Sequence, residues 1–196
     1  MGYAREKTQR LRFEEYEALE ADHPQTRYEY LDGMVYAMAG ATTVHNQIVG
    51  NLAFALRAFF RPKGCRTYTE NVKVEVSFRK RYVYPDVFVT CSERDKQSTQ
   101  LIRDPVLIIE VLSDSTEAID LKEKVDAYLA IPGLQAYVIV AQKECWLRIY
   151  ERDDSGDWLP HRFLNALSDT LSLRSGWSIP LTELYLDVSL KSDSNI

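Results

Sequence analysis

Cysteine is scarce in this sequence: Cys65, Cys91 and Cys145 stand far apart, with no Cys-x-x-Cys pair and no zinc spacing. A disulfide framework or zinc ribbon is excluded as the organising device, and reduced thiols in a cytoplasmic protein are the simplest expectation. Long apolar runs are missing too. No stretch approaches the roughly twenty residues that a membrane-spanning helix needs, and the start, Met1 to Arg10, carries charges but no apolar h-region. Glu6 stands where a myristoylation signal wants Ser or Thr. These absences point to a soluble cytoplasmic protein with no membrane partner. Internal repeats, a Gly-rich phosphate loop, a nucleophile elbow and a separate DNA-reading module are absent as well. So is any excess of positive charge: the net charge is -5, which argues against indiscriminate coating of nucleic acid, because that binding rests on neutralising phosphates.

What is present suits one globular domain. At 196 residues, 45% of them hydrophobic, the chain can bury a real core. Residues 12–188 are expected to form that domain, after a flexible start over 1–11 and before a disordered tail over 189–196. Helical spacing of Phe13, Tyr16 and Leu19 predicts a helix near 12–21, and Asp32-Gly33 predicts a hairpin of Tyr28–Leu31 with Met34–Met38. A second helix over 44–60, capped by Ala41-Thr42-Thr43, should bury Ile48, Val49, Leu52, Leu56, Phe59 and Phe60. Arg66–Val76 reads as one half-exposed strand, turning at Ser77–Lys80 into a Tyr82–Val89 strand; Ser92–Asp104 reads as polar and mobile. Strands at Pro105–Ser113, Ala136–Val140 and Cys145–Glu151 follow, then a turn at Arg152–Gly156 into Trp158–Leu164, with Leu181–Val188 closing the domain. Trp146, Trp158 and Trp177 are read as core or dimer contacts. The class is α/β (α+β), a mixed central sheet flanked by helices with additional hairpins.

The chemistry gathers between Tyr84 and Lys124. Glu110 sits inside the apolar run Pro105-Val-Leu-Ile-Ile-Glu-Val-Leu, where an ionised carboxylate costs several kcal/mol unless a cation or donors compensate. Asp86 enters a second apolar run just after Pro85. Two acids near neighbouring strand ends make a hard-cation site. Asp86, Glu110 and the Val111 carbonyl would suit Mg²⁺ or Mn²⁺ together with a substrate phosphate. The following helix is expected to start near Ser115-Thr116-Glu117 with Ala118, Leu121, Val125, Tyr128 and Leu129 on its buried stripe; Lys122 and Lys124 border that stripe on opposite sides. Periodicity does not choose between them. Glu29 by itself reads as an exposed strand acid. His45 reads as a capping or packing histidine, the rival being a phosphate or water contact at a helix N-terminus. Lys63, Arg66, Lys73, Arg79, Lys80 and Arg81 could form a basic patch or simply a solvated hairpin tip.

At these residues the sequence resembles a family. Asp86 after a proline and Glu110 in an Ile-Glu-Val context are similar to the PD-(D/E)XK nuclease core, but Leu112 occupies the usual lysine position. The narrower resemblance is to the restriction-endonuclease-like proteins abundant in cyanobacteria, in which that lysine has migrated to the next helix. The matching pieces are Tyr28-Glu29-Tyr-Leu-Asp32-Gly33, His45 with Ile48 and Leu52, Tyr84-Pro85-Asp86-Val87, Glu110-Val-Leu-Ser113, Ser115-Thr116, and Asp120 to Lys124 with Tyr128 and Gly133. Register against the family's Asp-x-x-x-Lys-x-x-x-Tyr pattern selects Lys124. Asp114 departs from a usual proline, and Ala136, Val138 and Ala141 replace the customary Glu, Trp and Asp around Tyr137. The resemblance implies a homodimeric metal-dependent endonuclease acting on DNA, with Asp86, Glu110 and Val111 on the ion, Lys124 as the positioned base and Glu29 as an accessory acid. Two other functions fit the residues: a nuclease-fold module kept for binding or dimerisation, and glycoside hydrolysis by the acid pair, in which Lys124 has no place.

Overall fold

Two breaks in strand geometry decide the architecture. The computed structural model describes residues 10–38, 40–113 and 121–190. Within it the expected strand over 66–76 is two strands, β3 (Arg66–Thr69) and β4 (Lys73–Ser77), because Glu70 and Asn71 take left-handed backbone angles, φ 38° and 50°. The expected strand over 82–89 also divides, into β5 (Arg81–Val83) and β6 (Val87–Thr90), around Tyr84-Pro85-Asp86. At each break the chain leaves one sheet for another. The Glu70 N–H donates to the Asp86 carbonyl at 3.0 Å, so the two crossings are tied to each other.

One sheet has the order β2-β1-β5-β4-β7, with β1 Tyr28–Leu31, β2 Met34–Ala37 and β7 Leu101–Ile102. The other runs β11-β10-β9-β8-β6-β3, with β8 Pro105–Val111, β9 Ala136–Val140, β10 Leu147–Glu151 and β11 Arg162–Leu164. A hairpin of β12 (Thr170–Ser172) and β13 (Ser178–Pro180) stands apart. Strands β8 and β9 are parallel, which requires a crossover connection, and that crossover carries Lys124. The mixed sheets flanked by helices are the α+β arrangement expected from the sequence.

Helix α1 (Phe13–Asp22) lays Phe13 and Tyr16 on Tyr30 and Tyr82. Helix α2 (Thr43–Phe60) starts at Thr42, whose hydroxyl accepts the His45 N–H. It buries Ile48, Val49, Leu52, Leu56 and Phe60 against Val87, Leu107, Ile109 and Val111, while Phe59 is only partly covered. Residues of opposite parity, Ile108 on β8 and Leu112 just after it, face the other way, onto Tyr128 and Val125 of α4 (Glu123–Leu129). Both faces of β8 are thus covered, which explains its unbroken apolar run. Glu110 has the parity of Ile108 and so points toward α4. The expected helix start at Ser115–Glu117, together with Asp114, Ala118 and Asp120, lies outside the described residues, as do residues 1–9 and 191–196.

Two expectations need correction. Ser92–Asp104 is not a featureless polar stretch: it holds α3 (Glu93–Gln97), capped by Ser92, and β7. Its organiser is the buried Asp95 carboxylate, which accepts from the Thr90 hydroxyl and from the N–H groups of Arg103 and Asp104 at 2.8–3.0 Å. Cys65 and Cys91 are likewise not thiols. Pairing of Arg66 with Thr90 sets the two cysteines side by side, their Cα atoms 4.1 Å apart, and a disulfide joins them. Strand register made this pair, and their spacing in sequence carries no trace of it. Cysteine chemistry therefore no longer speaks for a reducing compartment. Among the described residues no helix is long and apolar enough to cross a membrane. A last short helix, α5 (Leu181–Leu184), packs on α2.

Thiol titration in denaturant should find only Cys145 before reduction and all three cysteines after it. Reduction should lower stability by about 3 kcal/mol, given the 26-residue separation of the pair. Three reactive thiols in protein never exposed to reductant would overturn the pairing.

Candidate active site

The apolar wall of β8 surrounds Glu110, only 2% exposed, so its charge must be met from within the protein. It is met on both oxygens. Oε1 accepts the Tyr128 hydroxyl at 2.6 Å and the Lys124 ammonium at 3.1 Å; Oε2 accepts the Asp86 N–H at 3.1 Å. Lys124 Nζ also lies 3.0 Å from Glu29 Oε1, and that oxygen accepts the Tyr84 N–H at 3.0 Å. Burial pushes the Glu110 carboxyl above its usual range; the Lys124 charge opposes this, the Asp86 charge adds to it, and the Tyr128 hydrogen bond opposes it. The Tyr128 phenol is pushed well up, first by burial and then by the Glu110 charge, and remains a donor.

Packing decides between the two lysines. Lys124 is buried four residues before Tyr128, so both reach Glu110, whereas Lys122 is exposed. The helix end is secured by the Trp158 indole N–H on the Leu129 carbonyl at 2.9 Å and by Arg152, which donates to the carbonyls of Leu129, Ile131 and Leu134. Glu29 is not the exposed acid its strand alternation predicts: β1 lies between β2 and β5, and Glu29 is 5% exposed.

Beside this closed cluster lies a more open one. Asp86 Oδ2 accepts the Val111 N–H at 2.7 Å, reciprocating the bond from its own N–H to Glu110. His45 Nε2 is 3.2 Å from the same oxygen, and His45 Nδ1 is 3.9 Å from Glu70 Oε1. Nδ1 is buried and has no hydrogen-bond partner among the described residues. With Nε2–H donating to Asp86, the Nδ1 lone pair faces a carboxylate, an arrangement that calls for a proton or a cation between them. Burial lowers the His45 pKa, but the hydrogen bond and charge of Asp86, with the charges of Glu70 and Glu110, outweigh it and raise the pKa overall. Ligand atoms of His45, Glu70 and Asp86 all lie within 4.8 Å of one another. The Asp86 and Glu70 side chains are partly exposed, at 15% and 29%, so the cluster is open to solvent.

Asp86, Glu110, Lys124 and Glu29 are thus brought together, with His45 beside them and Val111 contributing its amide. Glu110 is not a member of the mutually close donor group, whose second carboxylate is Glu70. Glu70 went unnoticed in the sequence because it looks like one more charge in an alternating strand; the signal was the following Asn71, a residue tolerant of left-handed turns. Half of the basic stretch is paired with acids. Lys73 pairs with Glu20, Arg79 with Glu14 and Arg81 with Asp32.

The protein family described as "Putative restriction endonuclease" (Uma2) matches residues 13–184. The chain belongs to the Uma2 family. An uncharacterized protein of Synechocystis sp. is 36% identical over 160 residues, 81% of this chain and 83% of that protein. A second Synechocystis protein, also uncharacterized, is 29% identical over 133 residues, 67% of this chain and 75% of its own. The fold is that of a crystal structure titled "a putative nuclease belonging to DUF820" from Anabaena variabilis: TM-score 0.74 at 14% identity, covering 89% of this chain and 97% of that one. Ala136 and Val138, which depart from the pattern the sequence resembles, fall in the core that faces α2, the face of the sheet opposite to Glu110. Ala141 follows β9, and its carbonyl accepts the Tyr185 hydroxyl.

Urea denaturation should separate the two lysines. Lys124→Ala leaves two buried carboxylates without their cation and should cost about 3–5 kcal/mol; Lys122→Ala should stay within about 0.5 kcal/mol. Equal effects would remove Lys124 from the centre.

Proposed function

We propose that this Uma2 protein is a metal-dependent endonuclease that hydrolyses phosphodiester bonds in DNA. The observation that carries this is the adjacency of a buried, doubly held lysine to a half-open His45–Glu70–Asp86 cluster, with Asp86 shared between them. The donor set fits a divalent ion, because the unpartnered His45 Nδ1 facing Glu70 is a geometry that a cation relieves. Carboxylates suit Mg²⁺ and Mn²⁺, and the imidazole tilts the choice toward Mn²⁺. Asp86 would be the common ligand, with His45 and Glu70 on one side and Glu110 and the Val111 carbonyl on the other. Such an ion polarises a phosphate and lowers the pKa of an attacking water.

The chain's own residues do the rest. Val111 N–H fixes the Asp86 carboxylate, and Tyr128 fixes Glu110. Glu29 and Glu110 hold the Lys124 ammonium from two sides, so that it can orient the water or answer charge growing on phosphorus. Glu29 acts through Lys124 as its anchor.

Supercoiled plasmid incubated with Mg²⁺ or Mn²⁺ should be nicked by the natural protein, and Asp86→Asn should slow nicking about a hundredfold or more. Equal nicking by both proteins would end the proposal. Calorimetric titration with Mn²⁺ then shows which carboxylate accompanies Asp86: Glu70→Gln and Glu110→Gln are each expected to weaken binding by about tenfold or more. Affinity unchanged in both would remove the ion site.

A further inference from the structure

A groove of about 460 Å³ runs along the outer face of α2 and ends on Glu70, an acid of the candidate ion cluster. Asn46, Gly50, Phe54, Arg57 and Arg61 line it. Their spacing of three or four residues puts them on one face of the helix, a track of about 22 Å. Phe54 is 78% exposed, the most exposed of the large apolar side chains among the described residues. Nothing crowds the open side of Gly50, which keeps the trough beside Phe54 clear. Arg57 and Arg61 are exposed and pair with no acid among the described residues, unlike Arg79, Arg81, Arg103, Arg162 and Arg174.

We infer that this face is the binding track for a single-stranded or locally unpaired stretch of nucleic acid leading into the Asp86 centre. The inference rests on the nuclease function proposed above and adds the form of the substrate. Charge and shape decide the occupant. In a protein with net charge -5, two guanidiniums without an acid partner among the described residues, on a track that leads to an ion site, suit a phosphate backbone. An exposed ring between them and Glu70 offers a stacking surface, which only a base outside a duplex can use. Gly50 leaves room for that base, and Asn46, next to His45, lies at the end of the track nearest the ion cluster. The track does not cover Glu110 or Lys124, so the strand would approach the centre from the Glu70 side.

The test is fluorescence anisotropy of a short labelled oligonucleotide, single-stranded or as blunt duplex, with a chelator present so that binding is read apart from cleavage. Phe54→Ala is expected to weaken single-strand binding roughly 5- to 100-fold and leave duplex binding unchanged, with Phe54→Trp restoring it. Arg57→Ala and Arg61→Ala should each reduce the slope of log affinity against log salt by about 0.7. The track is overturned if Phe54→Ala binds single strands like the natural protein, or if it loses both forms equally. It is also overturned if Phe54→Ala converts a dimer to a monomer in sedimentation, which would make this face a contact between two copies. Plasmid nicking distinguishes the failures: unaltered binding by Phe54→Ala with nicking intact removes the track alone, whereas no binding and no nicking by the natural protein removes the nuclease function as well.

Discussion

The Lys124 ammonium, held between the Glu29 and Glu110 carboxylates in a region almost closed to water, is the contact on which the centre depends. It joins three elements that are far apart in sequence: the first hairpin, the central strand β8 and the crossover helix. None of the three charges could stay there alone, because burial of an uncompensated ion costs more than its packing returns. Tyr84 and Asp86 supply amides to the same carboxylates, so the backbone between β5 and β6 is held by the ions it helps to neutralise. A small error in the docking of any one element would therefore be felt by the other two.

Around that contact the chain uses its two sheet crossings for chemistry. Glu70 sits at one and Asp86 at the other, bonded backbone to backbone, and His45 reaches both from the first turn of α2. Left-handed residues and a proline remove these positions from the strand ladders, and their side chains meet at His45. The result is a division of labour between a dry pair of acids around a lysine and a wetter pair around a histidine. Asp86 links the two, its carboxylate meeting His45 and its N–H meeting Glu110.

Much of this was legible in the residues. Asp86 and Glu110 stood out because a charge inside an apolar strand has few explanations, and the hairpin at Asp32-Gly33 and the stripe of α2 follow from turn chemistry and periodicity. Periodicity left Lys122 and Lys124 level, since both border the same stripe; register against the resembled family selected Lys124, and the docking of α4 onto β8 gives the physical reason. Glu29 looked exposed because alternation says which residues share a face and not whether that face is covered. Glu70 and the Cys65–Cys91 pair were hidden for a common reason: each depends on β3 meeting β6, a pairing between segments that local pattern reads as parts of two longer strands. The parity of Ala136 and Val138, two of the departures, carries them to the other side of the sheet from Glu110.

The disulfide has a topological effect on these acids. Residues 65–91 form a covalently closed ring, and both Glu70 and Asp86 lie inside it, as does the exposed Phe78 at the tip between β4 and β5. A protease that cut the chain at that tip would open the ring without parting its halves. The two acids would remain on one tethered molecule, and the cut would show only when the sulfur bridge was broken.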